Sequence, residues 1–279
     1  MKRVDKEFGR PWRVMAIVPH QDDFEFQAGG TFAGLRRHYG DQVVLKVVTT
    51  SSGASGHHEM DAEETKERRA NESRAGAALI GAEYECLQQL DGTVVDGQVL
   101  LNRNLLGGLW NCIREFRADV IFCPPPASNP LSGVHIDHEN TAHAVRWVAY
   151  QLGVPRAYPT MKGEVDKEYR TPLVILTDDS YSAETQCDIR NAISKDFDTK
   201  LQMAQCHESQ IYEWLPWVSR QEPPTPEQFA ERFRERFRRV NQRFGFPEEP
   251  VCEYFRVSRW GRAPMEGELE FLFPEALKV

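Results

Sequence analysis

The sequence predicts an α/β fold: a Rossmann-like, doubly wound, mostly parallel sheet with helices on both faces, plus a helical C-terminal extension. Two observations lead there. Short, β-branched apolar runs recur through the first two-thirds of the chain, and helix-period segments stand between them. Such a βαβα rhythm implies a parallel sheet built from right-handed crossovers.

Val14–Pro19 (VMAIVP) is a nearly continuous apolar run, as expected of a strand buried on both faces. A polar turn follows, and Gly29-Gly30-Thr31 opens a helix that ends near Gly40. Val43–Thr49 is the second strand, and a Ser-, Gly- and His-rich loop runs from Thr50 to Met60. Asp61 stands three residues before Glu64, a capping box for a helix over Ala62–Ile80. Glu64 and Arg68 support that helix at i,i+4 spacing. Ala82–Leu87 reads as the third strand, Arg103–Phe116 as a helix, and Val120–Cys123 as the fourth strand, stopped by Pro124-Pro125-Pro126. A helix runs from about Asp137 to Leu152, and Leu173–Leu176 is the fifth strand. Asp188–His207 reads as helical.

Two units are expected, residues 1–212 and an extension, 213–279, packed on the same domain. Within the extension, Thr225-Pro226 is a cap followed by an N1 proline. Phe229, Phe233, Phe237, Val240 and Phe244 then mark one helical face, with Gly245 as the stop. Arginines 232, 234, 236, 238, 239 and 243 lie between them. They read as a solvated helix face, since the chain as a whole is acidic.

Charge and composition exclude several classes. The 279 residues carry a net charge of −8, which argues against nucleic acid and against electrostatic membrane binding. No apolar run approaches the ~20 residues a bilayer span needs. The N-terminus shows no apolar segment of an export signal. Six scattered cysteines without a C-x-x-C pair read as reduced thiols of a cytoplasmic protein.

The chemistry follows strands one and four. After the first comes His20-Gln21-Asp22-Asp23; after the fourth comes His135-Ile136-Asp137-His138. In a sheet of order 3-2-1-4-5 these strands are neighbours where the order reverses, and their carboxyl ends open a ligand crevice. Imidazole and carboxylate donors converging there suit Zn²⁺ with one position open to water.

The stretch Pro19–Thr31 (PHQDDFEFQAGGT), joined to His135–Val145 (HIDHENTAHAV), resembles the PIG-L/LmbE-type zinc deacetylases of N-acetylated amino sugars. Arg69-x-x-Glu72, Leu90-Asp91-Gly92, Asp188-Ile189, Lys200 and His207-x-Ser209-Gln210 extend the resemblance over about residues 12–212. Two residues depart from the family's H-P-D-D-E block: Gln21 replaces proline and Phe24 replaces glutamate. Either Glu25 takes over the missing acid's supporting role or the turn is altered.

The resemblance implies His20, Asp23 and His138 as ligands of Zn²⁺, or of another divalent ion such as Fe²⁺. It implies Asp22 as general base and His135 as the group that supports the oxyanion, with Asp137 keeping that imidazole charged and oriented. Arg69 and Asp91 would bind substrate. The partner implied is a small acetylated amino sugar or glycoside, and a homo-oligomer is compatible. Two other classes compete. Two histidines and a carboxylate also hold Fe(II) in oxygenases, though usually on β-barrels. A non-catalytic sugar- or nucleotide-binding module is the other; against a dinucleotide site the first turn lacks G-x-G-x-x-G, and against a pure binder Asp22, needed only for chemistry, is retained.

The remaining candidates are weaker. His57 and His58 fall in the glycine-rich loop and are expected to be exposed and flexible. His207 reads as a supporting residue, and Trp12 as core. Ile211–Trp217 (IYEWLPW) is aromatic and proline-stiffened, so Tyr212, Trp214 or Trp217 is expected at the substrate entrance.

Overall fold

The computed structural model describes residues 9–279, apart from 130, 132, 165, 166, 168, 183 and 184. Eight strands form one sheet. In chain order they are β1 (Trp12–Val18), β2 (Val43–Thr49), β3 (Ala82–Cys86), β4 (Val120–Cys123), β5 (Leu173–Thr177), β6 (Ile189–Ala192), β7 (Cys252–Val257) and β8 (Ala276–Leu277). Their spatial order is β3-β2-β1-β4-β5-β7-β6-β8. The first five are parallel, in the expected 3-2-1-4-5 order, and the other three are added antiparallel.

Alternation along β1 divides the core. Val14, Ala16 and Val18 face one side, where they join Phe24, Phe32 and Phe122. Met15 and Ile17 face the other, with Leu109, Ile113, Val145 and Val148. The helices on the first side include α1 (Asp23–Gln27), α2 (Gly29–Tyr39) and α3 (Ala62–Ala78); α4 (Arg103–Phe116) and α5 (Ile136–Gln151) cover the second. Asp61 caps α3 as its sequence position indicates, its Oδ1 accepting from the amides of Glu63 and Glu64.

The segment 188–207 departs from the helix expected there. Residues 189–192 are β6, and the helix α6 occupies only Phe197–Gln205. The cause lies far along the chain: β7 presents an unpaired edge, and Ile189–Ala192 pair with Cys252–Phe255. Backbone pairing to a distant strand overrides a weak local preference for helix. The C-terminal segment thus supplies strands as well as the expected helix. That helix, α8 (Pro226–Arg243), has the full capping box, Thr225 with Gln228. It follows the short α7 (Leu215–Ser219) and precedes α9 (Glu268–Leu272). Phe229, Phe233 and Phe237 of α8 bury themselves against Phe197 and Ile193, so this apolar face is used within the chain.

One buried polar cluster ties these parts together. Glu253 on β7 accepts from the amides of Gly30 (2.9 Å) and Thr31 (2.8 Å) and from Thr31 Oγ1 (2.6 Å) at the start of α2. The fully buried Lys200 of α6 donates to the same carboxylate. Gly30 allows the approach, because a Cβ there would stand 2.9 Å from Ile193. Removing one partner of a buried ion pair strands the other charge and costs about 3–5 kcal/mol. We expect Lys200→Met and Glu253→Gln each to lower unfolding free energy by that order in urea titrations. The double variant should cost clearly less than the sum, because the two side chains share one interaction. Additive losses would contradict the coupling.

Candidate metal centre

The carboxyl ends of β1, β4 and β5 open into a cleft of about 690 Å³, within the size range of small-molecule sites. Each strand ends in acid-rich sequence: His20–Asp23 after β1, Asp178 and Asp179 after β5, and, beyond the proline turn that follows β4, His135–His138. Adjacent strands carry these segments to one place, as the switch-point topology requires.

Among the described residues, two donor groups have ligand atoms within 4.8 Å of one another: His20/Asp23/His138 and His20/His135/Asp137. In the first, Asp23 Oδ2 lies 3.2 Å from His20 Nδ1 and 3.4 Å from His138 Nε2. Donors bound at about 2.0–2.1 Å to a tetrahedral ion stand about 3.3 Å apart, so this spacing fits zinc. The far nitrogens are also taken. His20 Nε2 meets Asp137 Oδ2 at 2.9 Å, and His138 Nδ1 meets Asp179 Oδ2 at 2.7 Å. A carboxylate behind each imidazole is the arrangement that fixes the tautomer and raises the basicity of a metal-binding histidine. The second donor group lacks it, since Asp137 would have to serve as ligand itself.

The electrostatics follow from these contacts. Burial works against charging His20, yet hydrogen bonds to Asp137 and Asp23 prevail and raise its pKa to about 9. His138 rises too, against its burial, through the charge of Asp23 and the hydrogen bond to Asp179. Burial alone would raise Asp23, but the two imidazoles hold it far below the usual carboxylate range. The pocket therefore stabilises concentrated charge of both signs, which a cation bound by deprotonated imidazoles can replace.

Asp22 faces the cleft beside Asp23, and Arg69 Nη2 donates to its Oδ1 at 3.0 Å. Arg69 Nη1 donates to Gly53 O at 3.1 Å. Arg69 thus positions Asp22 at the cleft wall. Gln21 fills the place of the family's proline: it is buried, and its Nε2 donates to Ser51 O at 2.9 Å and Tyr84 Oη at 3.3 Å. Phe24 packs on Phe32 in the core. Glu25, buried behind the turn, faces His207 Nε2 at 3.2 Å and does not line the cleft.

The structure gives Asp137 a different partner from the one expected. Its Oδ1 accepts from Val99 N and its Oδ2 contacts His20, while His135 Nδ1 is 3.9 Å away. His135 instead caps α5: its Nδ1 accepts from Asp137 N at 3.3 Å. Burial and the neighbouring His20 lower its pKa, in the opposite sense to a ring held charged by Asp137. Because Nδ1 accepts, the ring proton sits on Nε2.

Asp91 is not brought to the cleft. It is exposed, its carboxylate accepts from Thr93 and Asn104, and it is absent from the lining. At the entrance, Trp214 lines the cleft with Leu215 and Val218. Trp217 stacks on Trp214, and Tyr212 packs instead on Phe229. The loop histidines are packed rather than loose: the His57 side chain is 2% exposed and meets Glu213 Oε2 at 2.9 Å, while His58 stacks on Trp217. Glu213, beyond the glycine-rich loop in sequence, holds His57, and the rings of His57, Trp214 and Trp217 hold His58. Asp179 and Tyr181, whose ring lies 4.7 Å from that of His138, are not among the residues the sequence singles out. The signal was present in Thr177-Asp178-Asp179, an acidic pair directly after a strand that neighbours β4.

Residues 15–149 match the PIG-L family, described as GlcNAc-PI de-N-acetylase. No curated protein sequence matches the chain. Among solved structures it is similar to N,N'-diacetylchitobiose deacetylase from Pyrococcus horikoshii, with 18% identity, TM-score 0.67, and 91% and 86% of the two chains covered. It is similar to GalB, the 4-carboxy-2-hydroxymuconate hydratase from Pseudomonas putida KT2440, with 18% identity, TM-score 0.61, and 91% and 98% covered. A deacetylase of teicoplanin biosynthesis gives 15% identity, TM-score 0.58, and 87% and 96% covered. These likenesses are of fold.

The support of Asp22 can be tested at Gly53, whose φ is +72° and whose Cβ, if present, would stand 2.6 Å from Arg69 Nη1. Gly53→Ala should lower stability by at least about 1–2 kcal/mol from the left-handed backbone alone, seen as a lower Tm. An unchanged Tm would show that the loop relaxes freely.

Proposed function

Starting from a PIG-L family region over residues 15–149, we propose that this protein is a metal-dependent N-deacetylase that releases acetate from an N-acetylated amino sugar or its glycoside. The observation that carries this reading is the His20/Asp23/His138 group, each imidazole backed by a carboxylate, with a further carboxylate, Asp22, facing the same cleft. His20, Asp23 and His138 would hold zinc, with Fe²⁺ as the other candidate for a two-histidine, one-carboxylate set. When bound, such an ion supplies Lewis-acid polarisation of the amide carbonyl and acidification of water.

The chain's own groups supply the rest. Asp22 Oδ2 is free of the Arg69 contact, and as general base it takes the proton of the attacking water. Protonated Asp22 then returns that proton to the departing amine, so that water and amide become acetate and free amine. His135, neutral with its proton on Nε2, donates a hydrogen bond to the oxygen that gains charge in the tetrahedral species. Asp137 and Asp179 hold His20 and His138 in orientation and do not touch substrate. The six free cysteines fit a reducing compartment, and a cytoplasmic location is part of this reading. No helix among the described residues is long and apolar enough to cross a membrane.

Acetate release from a panel of N-acetylated sugars, with chelation and re-addition of Zn²⁺ or Fe²⁺, tests the activity. Hydration of an unsaturated acid without acetate release from any amide would replace this reading. Asp22→Asn should retain metal by mass spectrometry and lose about 10²–10⁴-fold in kcat. Asp23→Asn should lose metal outright; equal metal content and equal turnover in the two variants would refute the division of roles. Asp179→Asn should weaken metal affinity by about 10–100-fold, read by competition with a chromophoric chelator. His135→Ala should keep its metal and lose about 10²–10³-fold in kcat; loss of metal there would favour the His20/His135/Asp137 group instead.

A further inference from the structure

The sequence places the arginines of α8 on a solvated face, and most of them fit that description. Arg238 pairs with Glu249, and Arg234 lies 3.8 Å from Asp198 and over the ring of Phe197. Arg243 is bound to Asp178. Arg236 differs. It is half-buried and lines the cleft, with its guanidinium carbon 5.1 Å from the ring centroid of Phe26. Among the described residues no carboxylate, carbonyl or hydroxyl lies within hydrogen-bond or ion-pair reach of it. Among the described residues the one other arginine lining the cleft, Arg69, is committed to Asp22 and Gly53.

Phe26 stands three residues after Asp23 on the same short helix, so the guanidinium is parked close behind the turn that carries Asp22 and Asp23. The aromatic face holds it without consuming any of its five donors. A partly desolvated cation with unused donors, turned into a ligand cleft, lacks an anionic acceptor.

We propose that Arg236 binds a carboxylate carried by the substrate, so that the preferred substrates are N-acetylated amino sugars bearing a carboxylic acid group. The identity of the acetamide beside Asp22 rests on the deacetylase reading; the anion site does not. A planar guanidinium matches a carboxylate with two parallel hydrogen bonds. The charge balance selects the same group. Among the described residues five aspartates line the cleft; Asp178 and Asp179 are the ones whose charge reaches Arg236, and they are already bound by Arg243 and His138. One spare positive charge balances a monoanion, whereas a phosphate dianion would be left facing those carboxylates.

The test is calorimetric binding of three probes to the purified protein: N-acetylglucosamine, N-acetylmuramic acid, which adds a carboxylate, and N-acetylglucosamine 6-phosphate. The carboxylate-bearing sugar should bind roughly 10- to 100-fold more tightly than the neutral one, the range of a charged hydrogen-bonded contact. Arg236→Gln should bring that ratio close to one, and Arg236→Lys should restore part of it. The methyl ester of N-acetylmuramic acid gives a control on the unmodified protein, independent of how the variants fold: with the charge removed, it should bind like the neutral sugar. The proposal is overturned by an absent preference, by one that survives in the ester or in Arg236→Gln, or by tighter binding of the phosphate. Acetate release is scored in parallel. Carboxylate-dependent binding without acetate from any probe would leave the Arg236 site standing and refute deacetylation.

Discussion

The carboxylate of Glu253 is the point on which the architecture depends. It stands on a strand near the C-terminus and accepts three hydrogen bonds from the start of α2 and a fourth from buried Lys200. Orphan amides at a helix N-terminus favour an anion, and Lys200 neutralises the charge that would otherwise be stranded. Lys200 Nζ also approaches Phe26 O at 3.4 Å, so the cluster reaches the back of the turn that carries Asp22 and Asp23. The C-terminal segment is thereby locked to the first βα unit, and with it α8, the source of Arg236.

The same logic of carboxylates supporting polar groups recurs at the cleft. Asp137 and Asp179 each hold one imidazole, and Arg69 holds Asp22, itself fixed by a glycine carbonyl that only a left-handed turn presents. Each reactive group is thus oriented by a neighbour that is itself buried and bonded. Such preorganisation is what the proposed hydrolysis would need, since the donors must be in place before charge develops.

The entrance is built differently. Trp214, Trp217 and His58 form a stacked aromatic series, tied below by His57, Glu213 and Arg68. These residues join the loop after β2 to the segment after α6, so two distant parts of the chain form one rim. A stacked aromatic wall suits the apolar face of a sugar or its substituent, while the polar groups lie deeper.

By itself the sequence determined the parallel half of the sheet, its order, and the two histidine–aspartate segments at the switch point. These are local: apolar runs set strands, caps set helix starts, and crossover handedness leaves few arrangements of β1 and β4. It also determined the C-terminal helix, whose spacing of phenylalanines admits one face. Tertiary structure alone decided β6, because four residues without strong preference became a strand when β7 offered a partner sixty residues away in sequence. It decided that Asp137 serves His20 rather than His135, since its two oxygens are taken by Val99 N and His20 before His135 comes within reach. It left Asp91 outside the cleft, and it set Arg236 apart from its neighbours on the same helix. Periodicity places a residue on a face; only the packing of other elements fixes what that face meets, and hydrogen-bond partners and unmatched charges depend on distances that no single segment contains.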